Sequence, residues 1–286
     1  MAPRPRPPEA ERLSQQHQRP GVAPFTERTP RVIAARRLQR RRERDESGLF
    51  LAEGPQAVRE ALAAGAVKEL FATEEATGRH PELTEDATLV TDGAIAALAE
   101  TVAPQGLVAV CHQPGVSLAD ALAKRPRLVA VLAEIRDPGN AGTILRTADA
   151  AGAGAVVFAG DAVDPYNGKC VRASAGSVFH PDVVRDGDPE AVVASLKRGG
   201  LTVLAATGYG DTDLDDLADT GGLAGPTAWL FGSEAHGLPE PLLAAADHRV
   251  RVPLHGRAES LNLAAAAAVC LYASARALRR PAPTRP

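Results

Sequence analysis

The sequence RLVAVLAEIRDPGNAGTILRTADAAG occupies residues 127–152 and decides the fold of the second half of the chain. It begins with a continuous apolar run, 127–135, which is typical of a parallel strand covered on both faces. RDPGNAG then predicts a loop, and the apolar spacing from Thr143 onward predicts a helix. A buried strand, a polar loop and a helix predict the first unit of a doubly wound α/β sheet.

Four more apolar stretches in the second half extend this pattern. AVVFAG, LTVLAAT, TAWLFG and HRVRVPL predict strands at 155–160, 201–207, 227–232 and 248–254. An alanine-rich stretch predicts a closing helix from about residue 260 to 279. We therefore expect one α/β domain over 128–280, followed by a short tail at 281–286.

The first half predicts a smaller α/β domain. LFLAEG, VKELFAT, ATLVTD and GLVAVCH predict strands at 49–54, 67–73, 87–92 and 106–112, and QAVREALAAG predicts a helix at 56–65 ended by glycine. A linker at 115–127, with a helix from 117, separates the two domains. The first domain, with the basic helix at its start, is expected to cover 31–114.

The N-terminal region is rich in proline and arginine. Residues 1–30 contain seven prolines and predict a disordered lead-in, whereas RVIAARRLQRRRERDE at 31–46 predicts one strongly basic helix. Residues 1–47 hold 12 arginines against six acidic residues, a net charge of +6, while the rest of the chain carries −9. A polyanionic partner and a merely solubilising tail both account for this charge.

Composition excludes several classes of protein. The 286 residues are 45% hydrophobic and 23% charged, no apolar run reaches the roughly 18 residues of a membrane span, and no secretory signal precedes the domains. The three cysteines are scattered, which predicts a reducing cytoplasm and neither disulfides nor a zinc site. The chain has no GKS/T phosphate loop, and no GxGxxG pattern follows its first buried strand, so NAD and phosphate-loop nucleotide chemistry are not indicated.

Three polar loops follow predicted strands, at 137–142, 232–239 and 252–262. Ligands of open α/β sheets bind beyond the carboxyl ends of the strands, so these loops predict a site. Each loop by itself is better explained as a turn or a helix cap. Their order and spacing along the chain carry more information than any one of them.

Together these loops resemble the SpoU (TrmH-like) family of RNA ribose 2′-O-methyltransferases, in the SPOUT superfamily. The first family motif, N-x-G-x-x-x-R-T-A, is matched by Asn140, Gly142, Arg146, Thr147 and Ala148. The second, G-S-E-x-x-G-L, is matched by Gly232, Ser233, Glu234, Gly237 and Leu238, with Ala235 where many members carry glycine. The third is matched by Val252, Pro253, Ser260, Leu261 and Asn262, and VRASAGSVF at 171–179 matches a fourth segment.

The resemblance implies a trefoil-knotted parallel sheet, an exception to the rule against threaded chains, that binds S-adenosylmethionine without a metal. The implied cofactor-binding residues are Thr207, Gly208, Gly232, Val252 and Leu261, and we expect glycine at 232 because the ligand approaches the backbone. Arg146 matches the arginine that activates the ribose hydroxyl, and a guanidinium that only positions substrate or clamps phosphate is the alternative. The other implied catalytic residues are Asn140, Glu234, Ser260 and Asn262. Glu234 is equally interpreted as fixing the geometry of its loop.

The first domain resembles the L30e-like substrate-binding domain that precedes many SpoU catalytic domains, through Glu53-Gly54 and the apolar spacing around it. We expect RNA contacts from Arg36, Arg37, Arg40, Arg41, Lys169 and Arg172. The resemblance implies 23S ribosomal RNA as substrate and a homodimer formed through the knotted domain. A transfer RNA substrate, or a non-catalytic RNA-binding protein of the same fold, are the alternatives.

Overall fold

The computed structural model describes residues 23–279. Within them the chain forms a mixed four-stranded sheet in the first half and a parallel seven-stranded sheet in the second. The α/β class and the two-domain order predicted from the sequence are confirmed. The tail at 281–286 and residues 1–22 of the predicted lead-in lie outside the described residues.

The first sheet has the order β1-β4-β2-β3 and is covered by short helices. Its strands are β1 (Leu49–Glu53), β2 (Val67–Ala72), β3 (Thr88–Leu89) and β4 (Leu107–His112). The predicted helix at 56–65 is observed as α3 (Pro55–Ala63), and Gly65 follows it with a φ of +65°. Sequence patterns did not predict α4 (Glu74–Arg79), a 3₁₀ turn at Pro81–Leu83 or α5 (Asp92–Leu98). The strand predicted at 87–92 is shorter because the Thr91 hydroxyl accepts a hydrogen bond from Ala94 N–H and thereby starts α5.

The basic segment is two helices and not the single helix predicted. α1 (Pro30–Arg37) and α2 (Arg41–Ser47) are separated at Leu38–Arg40. The cause is Arg44, which is 3% exposed and donates from Nη1 to the carbonyl oxygens of Leu38 and Gln39 at 2.9 and 3.0 Å. These bonds satisfy the carbonyl groups at the end of α1, so the chain turns there. Arg44 is consequently buried and does not belong to the exposed basic surface of this segment.

Residues 23–30 also differ from the expected disordered lead-in. Phe25 N–H donates to Leu89 O, and Thr91 N–H donates to Phe25 O, both at 2.9 Å. The Arg31 guanidinium lies 5.4 Å from the centre of the Phe25 ring. Backbone pairing and this cation–π contact attach the segment to β3.

The second sheet has the order β7-β6-β5-β10-β8-β11-β9, and its neighbouring strands are parallel. The expected strands are β5 (Leu128–Ala133), β6 (Ala155–Ala159), β8 (Thr202–Ala206), β10 (Thr227–Phe231) and β11 (His248–Arg251), to which the structure adds β7 (Asp182–Asp186) and β9 (Thr212–Asp213). β5, β6 and β10 are buried along their whole length, as their unbroken apolar sequences predict. The trefoil knot implied by the resemblance stays a prediction.

Helices cover both faces of this sheet. Side chains of α7 (Pro138–Ala151), α8 (Gly168–Ser174), α10 (Leu214–Asp219) and α12 (Leu263–Arg279) pack on one face with Leu128, Ala130 and Leu132 of β5. Side chains of α6 (Leu118–Ala123), α9 (Pro189–Arg198) and α11 (Glu240–Ala245) pack on the other, with the alternate residues of β5. Trp229 of β10, fully buried, donates from Nε1 to Ser274 Oγ of α12 at 2.9 Å. This bond satisfies the indole N–H and fixes α12 against the centre of the sheet.

Two helix starts differ from the sequence prediction. α7 begins at Pro138, within the segment predicted as a loop, because Asp137 accepts from Asn140 N–H at 2.8 Å and proline suits the first helical position. α12 begins at Leu263 and not at 260, because Asn262 Oδ1 accepts from the N–H groups of Ala264 and Ala265. In both cases a polar residue of a predicted loop caps a helix.

Candidate active site

The three predicted loops lie at one edge of the sheet, where four neighbouring strands end. β5, β10, β8 and β11 lie side by side and parallel, so the segments that follow them leave from the same edge. These segments contain the first turn of α7, the loop at 232–238, the turn at 207–210 and the extended segment at 252–262. This is the edge at which ligands of parallel α/β sheets bind.

Asn140 joins three of these segments. Its Nδ2 donates to Glu234 Oε1 at 2.8 Å, and its Oδ1 accepts from Asn262 Nδ2 at 3.3 Å. Asn262 also caps α12, so its amide is fixed from both sides. Glu234 and Asn262 lie 94 and 122 positions from Asn140 in the sequence, and folding brings all three into one hydrogen-bonded chain.

Asp137 organises the same turn and was not singled out from the sequence. Its Oδ1 caps α7, and its Oδ2 lies 2.8 Å from Lys169 Nζ. The hydrogen bond from Lys169, and after it the one from Asn140 N–H, lower the pKa of the Asp137 carboxyl. The dipeptide Asp-Pro at the start of a helix is a capping signal that would have identified it.

The loop at 232–238 folds back on itself. Ser233 and Gly237 exchange backbone hydrogen bonds of 3.1 and 2.9 Å, and Gly237 has a φ of +68°. A Cβ at Gly232 would overlap the backbone of Gly237 and Leu238. We expected glycine at 232 because a ligand approaches it. Here the close neighbour is the returning strand of the same loop, and glycine is required for that turn.

Gly142 has a similar structural role inside α7. A Cβ there would overlap the carbonyl oxygen of Cys170 and would lie 2.7 Å from the Cβ of Ala173. Both neighbours belong to α8. The glycine of the first motif therefore permits close packing of α8 on α7.

A surface cleft of about 420 Å³ lies along the segment that precedes Asn262. It is lined by residues of 252–258 together with Asp215, Leu261 and Val269. No backbone hydrogen bond joins 254–261 to another described residue, so the N–H and C=O groups of this segment are open to a ligand. Apolar side chains and free backbone groups suit an adenosine-containing cofactor that is held largely by backbone contacts.

The predicted cofactor residues are distributed around this edge. Val252 and Leu261 line the cleft. Thr207 is hydrogen-bonded from its N–H to Val250 O at 2.9 Å, and Gly208 is exposed with open space beside it. Gly232 is buried beneath its loop and does not line the cleft.

Arg146 lies on α7, six residues beyond Asn140, and is exposed. Within residues 23–279 no carboxylate forms an ion pair with it, so its guanidinium is available to a substrate. Ser260 is exposed on the 252–262 segment and has no hydrogen bond to another described residue. The structure therefore brings Asn140, Glu234 and Asn262 together and leaves Arg146 and Ser260 without protein partners among these residues.

The predicted RNA-contacting residues fall into two groups. Arg36 and Arg40 are exposed and have no ion pair among the described residues. The other four are engaged: Arg37 with Glu43, Arg41 with Asp45, Lys169 with Asp137, and Arg172 with Glu53 and Glu100. Arg172 forms more ion pairs than the other three, because two carboxylates of the first domain face it.

Comparison with known families accounts for most of the chain. The model of the SpoU rRNA Methylase family matches residues 127–272, and that of the MRM3-like substrate binding domain matches 29–109. Among the described residues, no helix combines the length and the apolar character that crossing a bilayer requires.

Two individual relatives match 83% and 61% of the chain. The chain is 37% identical to the 23S rRNA (guanosine(2553)-2′-O)-methyltransferase of Bacillus subtilis over 83% of its own length and 92% of the relative. It is 37% identical to the 23S rRNA (uridine(2479)-2′-O)-methyltransferase of Streptomyces viridochromogenes, over 61% of each. The AdoMet-bound rRNA methyltransferase from Sinorhizobium meliloti superimposes with a TM-score of 0.77 at 32% identity, covering 89% of this chain and 98% of that one.

Proposed function

Because the chain belongs to the SpoU rRNA methylase family, we propose that it methylates the 2′-hydroxyl of one ribose in 23S ribosomal RNA. Membership makes it an RNA 2′-O-methyltransferase that uses S-adenosylmethionine. The observation that carries the proposal is the hydrogen-bonded chain Glu234–Asn140–Asn262, in which all three family loops are present and in contact. A protein that had kept the fold and lost turnover would be free to lose these polar side chains.

The cleft beside Leu261 fits the cofactor. Its apolar walls and the unpaired backbone groups of 254–261 are suited to the adenosine and methionine parts. The bound cofactor supplies an electrophilic methyl group on a sulfonium. We assign Val252 and Leu261 to its walls, Thr207 and Gly208 to its exposed side, and Gly232 to the turn that shapes the loop over it.

We assign Arg146 to holding the substrate. A guanidinium is protonated at neutral pH, so it is suited to binding a phosphate and orienting the adjacent ribose hydroxyl, and poorly suited to removing a proton. Its freedom from ion pairs among the described residues supports this role. Asn140, Glu234 and Asn262 keep the first turn of α7 in place beside the cleft, and Ser260 is available to the incoming ribose.

The first domain and α1 supply the RNA-binding surface in this proposal. Arg36 and Arg40 offer free charge to phosphates, and Arg37, Arg41 and Lys169 would exchange a protein carboxylate for RNA. A homodimer would be formed through α12, whose residues Ala265, Val269, Tyr272 and Arg276 form an exposed stripe beside the cleft. We place the enzyme in the cytoplasm, in agreement with its three free and buried cysteines.

The test is transfer of tritiated methyl groups from S-adenosylmethionine to ribosomal RNA and, separately, to transfer RNA, both purified from a strain that lacks this gene. Label in a 2′-O-methylnucleoside of 23S RNA is the expected result. Label in transfer RNA alone would show that the substrate is transfer RNA, the alternative named above. RNA binding and cofactor binding without any incorporation would identify a non-catalytic RNA-binding protein.

A further inference from the structure

Helix α8 lies between the two domains and is flanked by two glycines that receive glutamate side chains of the first domain. A Cβ at Gly168, the first residue of α8, would overlap the Glu100 carboxylate, whose Cδ would lie 2.8 Å away. A Cβ at Gly176, just beyond the helix, would lie 2.5 Å from Glu60 Cγ, and Gly176 has a φ of +97°. Both ends of α8 are therefore shaped to admit side chains from the other domain.

Arg172 occupies the middle of this contact. Its Nη1 lies 3.2 Å from Glu100 Oε2 and 3.5 Å from Glu53 Oε1, and the other oxygen of Glu53 accepts from Glu100 N–H at 2.9 Å. The three side chains are only 26%, 33% and 14% exposed, so water screens their charges incompletely. Glu53 is the acidic residue of the Glu53-Gly54 motif that characterises the first domain.

A second interdomain contact lies just before α8. Arg44 and Asp164 form an ion pair of 2.7 Å in which both side chains are 3% exposed, and the rings of Phe50 and Tyr166 are 5.0 Å apart. This buried contact holds the domains together. Asp45 and Arg185, 2.8 Å apart, and the rings of Phe50 and Phe179, 5.7 Å apart, extend this contact. The ion pairs of Arg172 add charged contacts at the opposite end of β1, at Glu53.

The far side of α8 packs on the catalytic helix. Gly142 of α7 receives the backbone of Cys170, and Arg146 lies four residues further along α7, on the same side of that helix. A single short helix thus connects the acidic motif of the first domain with the helix that carries Arg146.

We propose that Arg172 is a positioning residue: by pairing with Glu53 and Glu100 it fixes the orientation of the substrate-binding domain over the active site. The proposal rests on the proposed function for its kinetic consequence, whereas its structural part is independent of activity. It replaces the expectation that Arg172 contacts RNA, because a guanidinium shared by two carboxylates has little charge to offer a phosphate.

The structural part is tested by the distance between spin labels at Glu85→Cys in the first domain and Ala194→Cys on α9. Both positions are exposed, and the three native cysteines are buried. We expect one narrow distance distribution in the otherwise unchanged protein, a broad one in Arg172→Gln, and a narrow one again in Arg172→Lys, which keeps the charge. Arg79→Gln is the matched control, since the partner of Arg79 is Glu75 of the same helix. An unchanged distribution in Arg172→Gln overturns the proposal even if the protein proves inactive.

The kinetic part is tested on full-length 23S RNA. Arg172→Gln should raise KM for RNA about tenfold, as expected for loss of a charged hydrogen bond, with kcat and cofactor affinity within twofold of the unchanged protein. A fall in kcat at unchanged KM would contradict a positioning role. Absence of methyl transfer by the unchanged protein would count against the proposed function and not against the interdomain contact.

The double variant Glu53→Gln, Glu100→Gln separates positioning from direct RNA contact. If Arg172 orients the domains, removing its two carboxylate partners should weaken RNA binding as Arg172→Gln does, and combining all three changes should add little. If Arg172 binds phosphate, freeing it from these partners should tighten RNA binding, which would overturn the proposal.

Discussion

Asn140 on α7 donates a hydrogen bond to Glu234 in the loop after β10, with 2.8 Å between Nδ2 and Oε1. β5 and β10 are adjacent in the sheet, so the two segments leave from neighbouring strands. The same Asn140 amide accepts from Asn262 after β11. One neutral side chain therefore holds three loops that are far apart in sequence.

Replacement of Glu234 separates its charge from its geometry. Glu234→Gln keeps an oxygen that accepts from Asn140 and should retain most activity, whereas Glu234→Ala should lose about 10²-fold because the α7 turn is released from the loop. Initial rates with saturating cofactor measure both. A Gln variant as inactive as the Ala variant would give the carboxylate charge a direct role.

Arg146→Ala should reduce methyl transfer by about 10²–10³-fold, because it removes the free guanidinium that we assign to holding the substrate. Cofactor affinity, measured by calorimetry, should stay within twofold. Arg198→Ala, an exposed arginine on α9, is the control. A large loss of cofactor affinity in Arg146→Ala would instead place this side chain in the cleft.

Gly142→Ala should lower the free energy of unfolding by about 1–3 kcal/mol, because the new methyl group overlaps the backbone of α8. Urea denaturation measures the change. Gly78→Ala is matched, since Gly78 also lies in a helix but has nothing within 4 Å of its Cβ position. It should leave stability unchanged or raise it by up to about 1 kcal/mol. Equal effects of the two changes would remove the packing argument.

His180 makes another charged contact between the domains. Its Nδ1 lies 2.8 Å from Asp149 and its Nε2 lies 3.2 Å from Glu60 of the first domain. The hydrogen bond to Asp149 raises the pKa of His180, and the hydrogen bond to Glu60 raises it by a smaller amount. A raised pKa means that the protonated form stabilises the fold, fully below about pH 6.5 and progressively less as pH rises through the folded pKa.

The melting temperature of the unchanged protein should therefore fall as pH rises from 6 to 9 by more than that of His180→Gln. Scanning calorimetry at several pH values measures the difference. His255→Gln, at an exposed histidine on the 252–262 segment, should behave like the unchanged protein. Parallel curves for His180→Gln and the unchanged protein would exclude this contribution.

Arg36 and Arg40 should contribute to RNA binding through phosphate contacts alone. The double variant Arg36→Gln, Arg40→Gln is expected to weaken RNA binding and to reduce the slope of log K against log salt by about 1.4, or about 0.7 per contact. Titrations at several salt concentrations measure the slope, with Arg79→Gln as control. An unchanged slope would place the RNA on another surface.

Sequence patterns predicted the strands of the second domain well, because β5, β6 and β10 are apolar on both faces and read as unbroken runs. They failed on short elements such as α4, α5 and β9, which have two to seven residues and too few turns to show a period. They also misjudged the start of α7, where the cap at Asp137 and the proline after it outweigh the glycines.

The sequence by itself determined the chemistry: which polar residues follow which strands, and hence the family and its reaction. Only the tertiary structure decided which charges are free. Arg44 reads as one more arginine of a basic helix, yet it is buried against Asp164, 120 residues away. Arg172 faces two carboxylates of the other domain, while Arg146 faces none among the described residues. The reason is physical, since periodicity records only local burial, whereas an ion pair depends on groups that folding brings together from distant parts of the chain.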